Sequence, residues 1–415
     1  MKRYRTFKVE IDPTDEQKQQ IARFQGICRF VYNLYLHENQ ERWEAEKKLA
    51  EASGRKPHST LMKPAEFYTW LKQDYIPASG KIWINDCPSK AVRQSINDAN
   101  EAYRKFFKKQ SGFPKFKKKG SNEAMVYFCR NSLSQPVRST RWYVQVPKLG
   151  RVHLKEKGRI PTYVPNEVEI VKGWIGQKNG RWYMSVYVEY EVDSVPSYRK
   201  DSDGIGIDLG IKELAVLSNK EVFANINKKR PMKRKLRKLK HLSRIYSRKL
   251  KAYRARKKKD PDNRPTRSNL NKAQKRLQAV QQKMNNTRNT YRRQTVARIM
   301  DLYPSYITME DLNIAGMMKN RKLAHAISQM QWYAFRTDVQ FQCAKRGIEF
   351  RLADRRYPSS KTCHQCGHVH KDLKLSDRTF VCPDCGYTED RDLNAAQNLR
   401  DTAAYTVLDL QTTMF

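Results

Sequence analysis

Hydrophobic and polar positions change period several times along the chain. Residues 4–11, YRTFKVEI, form a short β-type run. Pro13 and Thr14 then open a helix, with Gln17 three residues after Thr14 as in a capping box. Ile21, Phe24, Cys28, Val31 and Leu34 recur at helical spacing and predict its apolar stripe. Further helices are expected over 60–76 and 89–109, and GFPKFKKKG (112–120) breaks the helical region with Gly and Pro. From Ala124 to Val192 the pattern turns to β in MVYFC, WYVQV, VEIVKGWI and WYMSVYVEYEV, with Lys178-Asn179-Gly180 as a hairpin turn. Short strands split by turns predict a small barrel, which the first strand joins across the helical insertion. The linker DSVPSYRKDSDG (193–204) ends this half.

GIGIDLGIKELAVLSN begins a second region with two strands. Residues 228–259 hold 18 Lys/Arg and no acid, yet Leu236, Leu239, Tyr246, Leu250 and Tyr253 keep a helical period. After KKKDPDNRP, Leu270, Ala273, Leu277, Val280 and Met284 alternate steps of three and four. That heptad seam predicts an antiparallel helical hairpin with basic outer faces. SYITMED (305–311) and IEFRLAD (348–354) predict strands around a helix over 329–346, and a last helix follows Asp392.

Charge narrows the function. Lys+Arg 83 against Asp+Glu 42 gives +41 over 415 residues, and so large an excess repels itself unless a polyanion neutralises it. Nucleic acid is favoured over membrane: no stretch of about 18 apolar residues, amphipathic anchor or lipidation signal occurs, and MKRYRTFKVEI lacks a signal-peptide core. A cytoplasmic protein, acting at the prokaryotic nucleoid, is expected. Cys28, Cys87, Cys129 and Cys343 stand apart in apolar surroundings and are expected to be reduced core thiols.

The other four cysteines form two knuckles, Cys363-His-Gln-Cys366 and Cys382-Pro-Asp-Cys385, fifteen residues apart and each followed by Gly. That spacing places four thiolates around one structural Zn²⁺; disulfides are the alternative, disfavoured in a reducing compartment. His364, His368 and His370 are not needed as ligands. His368-Val369-His370 matches the metal pair of one nuclease class, but its place in the ribbon loop makes it a decoy.

Three acids stand out. Asp208 sits inside apolar GIGIDLG, where an unpaired carboxylate would cost several kcal/mol. Glu310 ends the apolar run SYITM, and Asp392 starts the last helix. Separately they are explained as a buried ion-pair partner, a surface acid and an N-cap. Together the order strand-acid, strand, strand, helices, strand-acid, helix, strand, acid-helix is that of an RNase H-like domain. Carboxylates sharing a site repel unless cations bridge them; Mg²⁺ suits oxygen ligands, and two ions about 4 Å apart serve phosphodiester hydrolysis.

GIGIDLGIKELAV, ITMEDLNIAGM, YPSSKTCHQCG…CPDCG and DRDLNAAQNL resemble the RuvC-I, RuvC-II, zinc-ribbon and RuvC-III blocks of the TnpB family, and GFPKFKKKG resembles a motif of its amino-terminal half. TnpB proteins are insertion-sequence RNA-guided endonucleases related to compact type V CRISPR effectors. The resemblance is specific over 204–400 and looser over 1–195. It implies Asp208, Glu310 and Asp392 as catalytic Mg²⁺ ligands, with a noncoding guide RNA and double-stranded target DNA as partners of a monomer or homodimer. The implied architecture is α+β and multidomain. A β-barrel (1–11 and 112–195) holds a helical recognition domain (12–111). A RuvC-like nuclease domain (196–360 and 389–415) holds the zinc ribbon (361–388). Lys90 and Gln94, at i and i+4, are similar to positions that face a motif flanking the target. Lys115, Lys117, Lys118, Lys119, Lys233, Arg234, Arg237 and Lys238 are expected nucleic-acid contacts, holding backbone while base pairing reads sequence.

Two rivals remain open. A strand-transfer transposase also uses an RNase H-like core, with the usual acid order Asp-Asp-Glu where this chain has Asp-Glu-Asp. A non-catalytic zinc-ribbon RNA-binding protein would explain the charge and leave buried Asp208 unexplained.

Overall fold

The computed structural model describes residues 2–119, 125–130, 132, 135–178, 180–191, 203–260, 265–374 and 377–408. The chain forms two compact units, Met1–Asp193 and Ser194–Phe415.

In the first unit β1 (Lys2–Asp12) leads into α1 (Asp15–Ala52) through the expected capping box. The Gln17 N–H donates to Thr14 Oγ1 at 3.3 Å and the Thr14 N–H to Gln17 Oε1 at 3.0 Å. Ile21, Phe24 and Val31 are buried as expected. The stripe runs on through Ile27, Tyr35 and Leu36, leaving Cys28 and Leu34 half-buried. The helix expected over 60–76 starts at Pro64, where the missing N–H is harmless. It comes in three pieces: α2 (Pro64–Trp70), a π-helical turn (Leu71–Tyr75) and α3 (Ile76–Ser79). α4 (Ser89–Phe107) packs against α1 and α2, with Tyr35, Phe67 and Tyr103 buried between them. Cys28 and Cys129 are only half-buried, and Cys28 is not solitary: its sulfur lies 3.8 Å from that of Cys87.

Five further strands follow: β2 (Met125–Cys129), β3 (Tyr143–Val146), β4 (Gly150–Leu154), β5 (Val168–Lys178) and β6 (Arg181–Glu191). They form one sheet in the order β2-β5-β6-β1-β4-β3. β1 therefore joins this sheet across the helical insertion. Val137 bridges to Ile170 of β5 and Ser139 to Val144 of β3, tying one end of the row back toward the other. Lys178 pairs with Arg181 around a two-residue turn whose Gly180 has φ +78°. Asn179 of that turn and 193–202 of the linker lie outside the described residues.

The second unit begins with β7 (Ile205–Asp208), β8 (Glu213–Leu217) and β9 (Val222–Ala224). α5 (Arg230–Lys259) and α6 (Ser268–Met300) then pack side by side as a hairpin. Leu270, Ala273 and Met284 are buried, whereas Leu236, Leu239, Tyr246, Leu250 and Tyr253 are half-buried. β10 (Tyr306–Glu310), α7 (Ile314–Met317), α8 (Ala324–Met330), α9 (Trp332–Arg346) and β11 (Glu349–Ala353) continue the unit. The helix expected over 329–346 is broken at Gln331, whose φ of +57° ends α8 and opens α9. β12 (Thr379–Val381) and β13 (Thr388–Asp390) make a small hairpin before α10 (Arg391–Asp401) and β14 (Tyr405–Val407).

The large sheet has the order β14-β11-β10-β7-β8-β9, with β7, β10 and β11 parallel and the others antiparallel to their neighbours. Ile207 and Met309 join a core with Val296, Phe335 and Val339. Successive strand residues point to opposite faces, so Gly206 faces the other side, where α10 crosses β7. The crossing admits no side chain: a Cβ on Gly206 would lie 1.9 Å from the Ala396 carbonyl oxygen. Gly206→Ala is therefore expected to destabilise the protein by about 1–3 kcal/mol. Gly112→Ala, with open space around it, serves as the neutral control in denaturant unfolding.

Candidate active site and metal centre

Parallel strands β7 and β10 run in register, with Thr308 opposite Gly206 and Met309 opposite Ile207. One step further, Glu310 comes level with Asp208, both at carboxyl ends of strands, where α/β folds place ligands. Both belong to the α10 face by the two-residue alternation. Burial first, then the charges of Glu310 and Asp392, raises the Asp208 carboxyl well above its ordinary value of 3.8; Arg391 opposes this and Asp390 adds to it. Burial also raises Glu310, partly offset by the Ser359 hydroxyl, which donates to its Oε1. The charges of Glu310 and Asp392 thus both reach buried Asp208.

Asp392 is not the helix cap. Asp390 Oδ1 accepts from the N–H groups of Asp392 (2.9 Å) and Leu393 (3.2 Å), so Asp390 fills that role and Asp392 is the second residue of the helix. The neighbouring acid Asp311 is committed elsewhere, paired with Arg336 at 3.0 Å and with Arg355.

Several positioning residues gave no clear sign in the sequence. Asn394 and Asn398, one turn apart and buried in α10, hold the segment after β11. The Asn394 amide donates to the Thr362 carbonyl at 2.8 Å and its oxygen accepts from the His364 N–H at 3.0 Å. Asn398 Nδ2 donates to the Ser359 and Thr362 carbonyls at 2.8 and 2.6 Å. Arg391 donates to the Lys374 carbonyl at 2.7 Å and Ser360 Oγ at 3.2 Å. These bonds place Ser359 against Glu310 and the cysteine ribbon against α10. Two asparagines at i and i+4 in an Ala-rich helix were the available signal, since buried amides must find partners.

Cys363, Cys366, Cys382 and Cys385 have donor atoms within 4.8 Å of one another, the only such group of three or more His, Cys, Asp or Glu among the described residues. The sulfur separations of 3.7 Å (Cys363–Cys385) and 3.6 Å (Cys366–Cys382) match the edge of about 3.8 Å that a tetrahedron of Zn–S bonds of about 2.3 Å requires. The two knuckles repeat one geometry. The Gly367 and Gly386 N–H groups donate to the Cys363 and Cys382 carbonyls at 3.0 and 3.1 Å, with φ of +76° and +73°. Burial opposes ionisation of Cys382, but the backbone N–H groups of Cys385 and Asp384 and the neighbouring thiols bring it down to about 6. The donor set fits a closed zinc site. The His368 carbonyl accepts from the Cys363 N–H and the His370 N–H donates to Lys361, so both backbones belong to the knuckle. The His370 ring packs edge-on to Phe380.

Among the expected nucleic-acid contacts, Lys90 is exposed and Gln94 is half-buried, donating to Asp98 at 2.8 Å. Lys115, Lys118 and Lys119 are exposed. Lys117 departs from expectation. Its ammonium lies 3.7 Å from the Tyr32 ring centroid, and its backbone exchanges two hydrogen bonds with Asn33, at 2.8 and 3.0 Å. It anchors the segment to α1 rather than reaching outward. Lys233, Arg234 and Arg237 line one concavity with Lys228 and Arg230, and Lys238 is exposed beside them.

Residues 185–321 match a family described as a probable transposase, OrfB of IS605, and residues 1–48 match a helix-turn-helix domain of the same OrfB group. Residues 332–399 match the Cas12f1-like TNB domain. The curated relative named "Putative RNA-guided DNA endonuclease InsQ", from Escherichia coli (strain K12), is 29% identical over 96% of this chain and 92% of its own. A "Putative RNA-guided DNA endonuclease" from Streptomyces pristinaespiralis is 28% identical, over 95% and 88%. The chain belongs to the TnpB family.

The fold agrees. A chain of the Cas12f1–sgRNA–target DNA complex, solved by cryo-electron microscopy, superposes with a TM-score of 0.54 at 13% identity, over 96% of this chain and 99% of that one. This TnpB protein is accordingly a mixed α/β, multidomain chain. Its residues 1–48 are β1 and most of α1, one unbroken helix rather than a helix-turn-helix.

Two outcomes follow from these geometries. Replacing Cys382 and Cys385 by Ser should remove about one zinc per chain by elemental analysis and lower the stability of the unit, because binding to a closed site is folding energy. A double variant that keeps its zinc would contradict the assignment. In metal-free protein, the raised Asp208 carboxyl weakens the fold wherever it is ionised. The penalty is absent below the unfolded value near 3.8 and grows as pH rises through it toward the higher folded value. Asp208→Asn in chelator should melt above wild type at neutral pH, and the gap should close toward roughly pH 3.

Proposed function

We propose that this protein is an RNA-guided DNA endonuclease that cuts target DNA beside a short flanking motif by metal-dependent phosphodiester hydrolysis. The observation that carries the reading is that the charges of Glu310, at the end of the neighbouring parallel strand, and of Asp392, in the first turn of α10, both act on buried Asp208. Its support is threefold. The relatives covering most of the chain carry the name "Putative RNA-guided DNA endonuclease". The strand order, with β7 central and parallel to β10, is what the RNase H-like reading requires. The charge of +41 demands a polyanion.

The three carboxylates fit Mg²⁺ by their chemistry: hard oxygen donors, held close enough that burial and mutual repulsion raise Asp208 and leave it short of a counter-charge. Divalent ions held there would supply an activated water and stabilise the leaving oxygen. The protein's part is positional. Ser359 orients Glu310, Asp390 caps α10 so that Asp392 is presented from its first turn, and Arg391 ties that turn to the ribbon. In the same reading, the β1–β6 sheet is the barrel, 12–111 the recognition domain and 361–388 the zinc ribbon. The matched family's transposase description favours a strand-transfer reading. The order Asp-Glu-Asp, with a ribbon before the third acid, supports hydrolysis instead.

Sequencing of RNA copurified with the protein should return one dominant noncoding species with a variable end; a random population would overturn the guided reading. With that RNA bound, Asp208→Ala, Glu310→Ala, Asp392→Ala and Asp392→Asn should abolish cleavage and leave target binding intact. Asp390→Ser should still cut, because serine also caps a helix. Near-wild-type cleavage by Asp208→Ala would refute the site.

The basic hairpin gives a separate expectation. Replacing Lys233, Arg234, Arg237 and Lys238 together by Gln should weaken binding uniformly across target sequences. It should also flatten the log–log salt slope, by about 0.9 for each phosphate of a B-form duplex that is no longer neutralised and by less on a single strand. A solvated helix face would leave both affinity and slope unchanged.

A further inference from the structure

The end of α4 carries a cluster of aromatic rings that is left uncovered among the described residues. Tyr103 is buried and its hydroxyl donates to the Leu36 carbonyl. On it rest Phe113, edge-on at 5.9 Å, and Phe107, stacked at 6.3 Å; Phe106 meets Phe113 edge-on at 5.2 Å. The outer rings remain in solvent: Phe107 is 62% exposed and Phe113 48%, and Phe116, three residues along the chain from Phe113, is 46% exposed. Phenylalanine is among the residues most often buried, and contiguous exposed apolar patches mark interaction sites. The segment is also fixed. Pro114 is buried, and Lys117 is clamped by its two bonds to Asn33 and by the Tyr32 ring.

The setting of these rings selects the partner. Residues 103–119 contain eight Lys/Arg and no acid, and Lys105, Lys108, Lys109 and Lys115 are exposed around the rings. Flat apolar surfaces among cations complement a chain that alternates phosphates with flat apolar faces. A duplex hides those faces in its own stack, so the complementary form is unpaired. We propose that Phe107 and Phe113 form a stacking site for unpaired bases of a single-stranded nucleic acid, with the surrounding lysines on its phosphates. The proposal rests on the nuclease reading only for the presence of a nucleic-acid partner. The chemistry is shared by RNA and single-stranded DNA.

The test uses the whole chain with its zinc retained, without guide and without added Mg²⁺. Its probes are an oligouridylate and an oligodeoxythymidylate, each longer than the roughly 4–16 nucleotides one such groove spans, and an RNA duplex. Phe107→Ala with Phe113→Ala should weaken single-strand binding roughly 30-fold or more, as removal of two stacking rings predicts. Duplex affinity and the salt slope should not change, since no charge is removed, and Phe113→Trp should bind like wild type. A loss on only one of the two oligonucleotides identifies which sugar the site takes. Unchanged single-strand affinity, or an equal loss on the duplex, overturns the proposal. So does a shift of the alanine variant from dimer to monomer in sedimentation with single-strand binding intact, since the rings would then be a self-association face. Thermal unfolding checks that the variants fold. Guided cleavage is scored separately, so unchanged single-strand binding beside normal cutting rejects the stacking site and leaves the nuclease standing.

Discussion

The close crossing of α10 over β7 is the contact on which the candidate site depends. Only a glycine at 206 lets the helix backbone approach the strand backbone this closely, and that approach sets where Asp392 stands relative to Asp208. From the same helix, Asn394 and Asn398 reach the segment that carries Ser359 and Cys363. One packing contact therefore sets both the acidic cluster and the seat of the cysteine ribbon. A displacement of α10 would separate the carboxylates and unseat the ribbon together.

The arrangement works against the stability of the bare fold. Two of the three acids are raised by burial, and Asp208 also by the charges of Glu310 and Asp392, so its ionised form is costly to keep. Proteins tolerate such clusters where a ligand offsets them, and perturbed acids in a cleft mark functional sites. Asp311, one residue from Glu310, shows the contrast: two arginines pair with it and it contributes nothing unbalanced.

Much of this was legible along the chain because it rests on short-range signals. Thr14 and Gln17 announced their capping box, the alternating steps from Leu270 to Met284 announced the hairpin, and the knuckle spacing announced four sulfurs in one place. What was hidden depended on distant partners. The caps could not be told apart from sequence, since Asp390 and Asp392 both precede helical residues and only the backbone conformation decides. Lys117 looked like one more exposed lysine in a basic run, and only the fold places it on Tyr32. Gln331 carries no mark of a helix break, because its left-handed conformation is imposed by packing rather than by propensity. The stacked phenylalanines had a motif but no visible exposure.

The central claim is that Asp208, Glu310 and Asp392 form a divalent-ion site assembled by the α10–β7 crossing. Calorimetric titration of Mg²⁺ into Mg²⁺-free, zinc-loaded wild type and Glu310→Gln, with the melting temperature followed in parallel, tests it most directly. The account predicts saturable Mg²⁺ binding that raises the wild-type melting temperature, as ligand binding to the folded state must, and loss of both effects in Glu310→Gln. Equal Mg²⁺ affinity and equal stabilisation in the two proteins would contradict it.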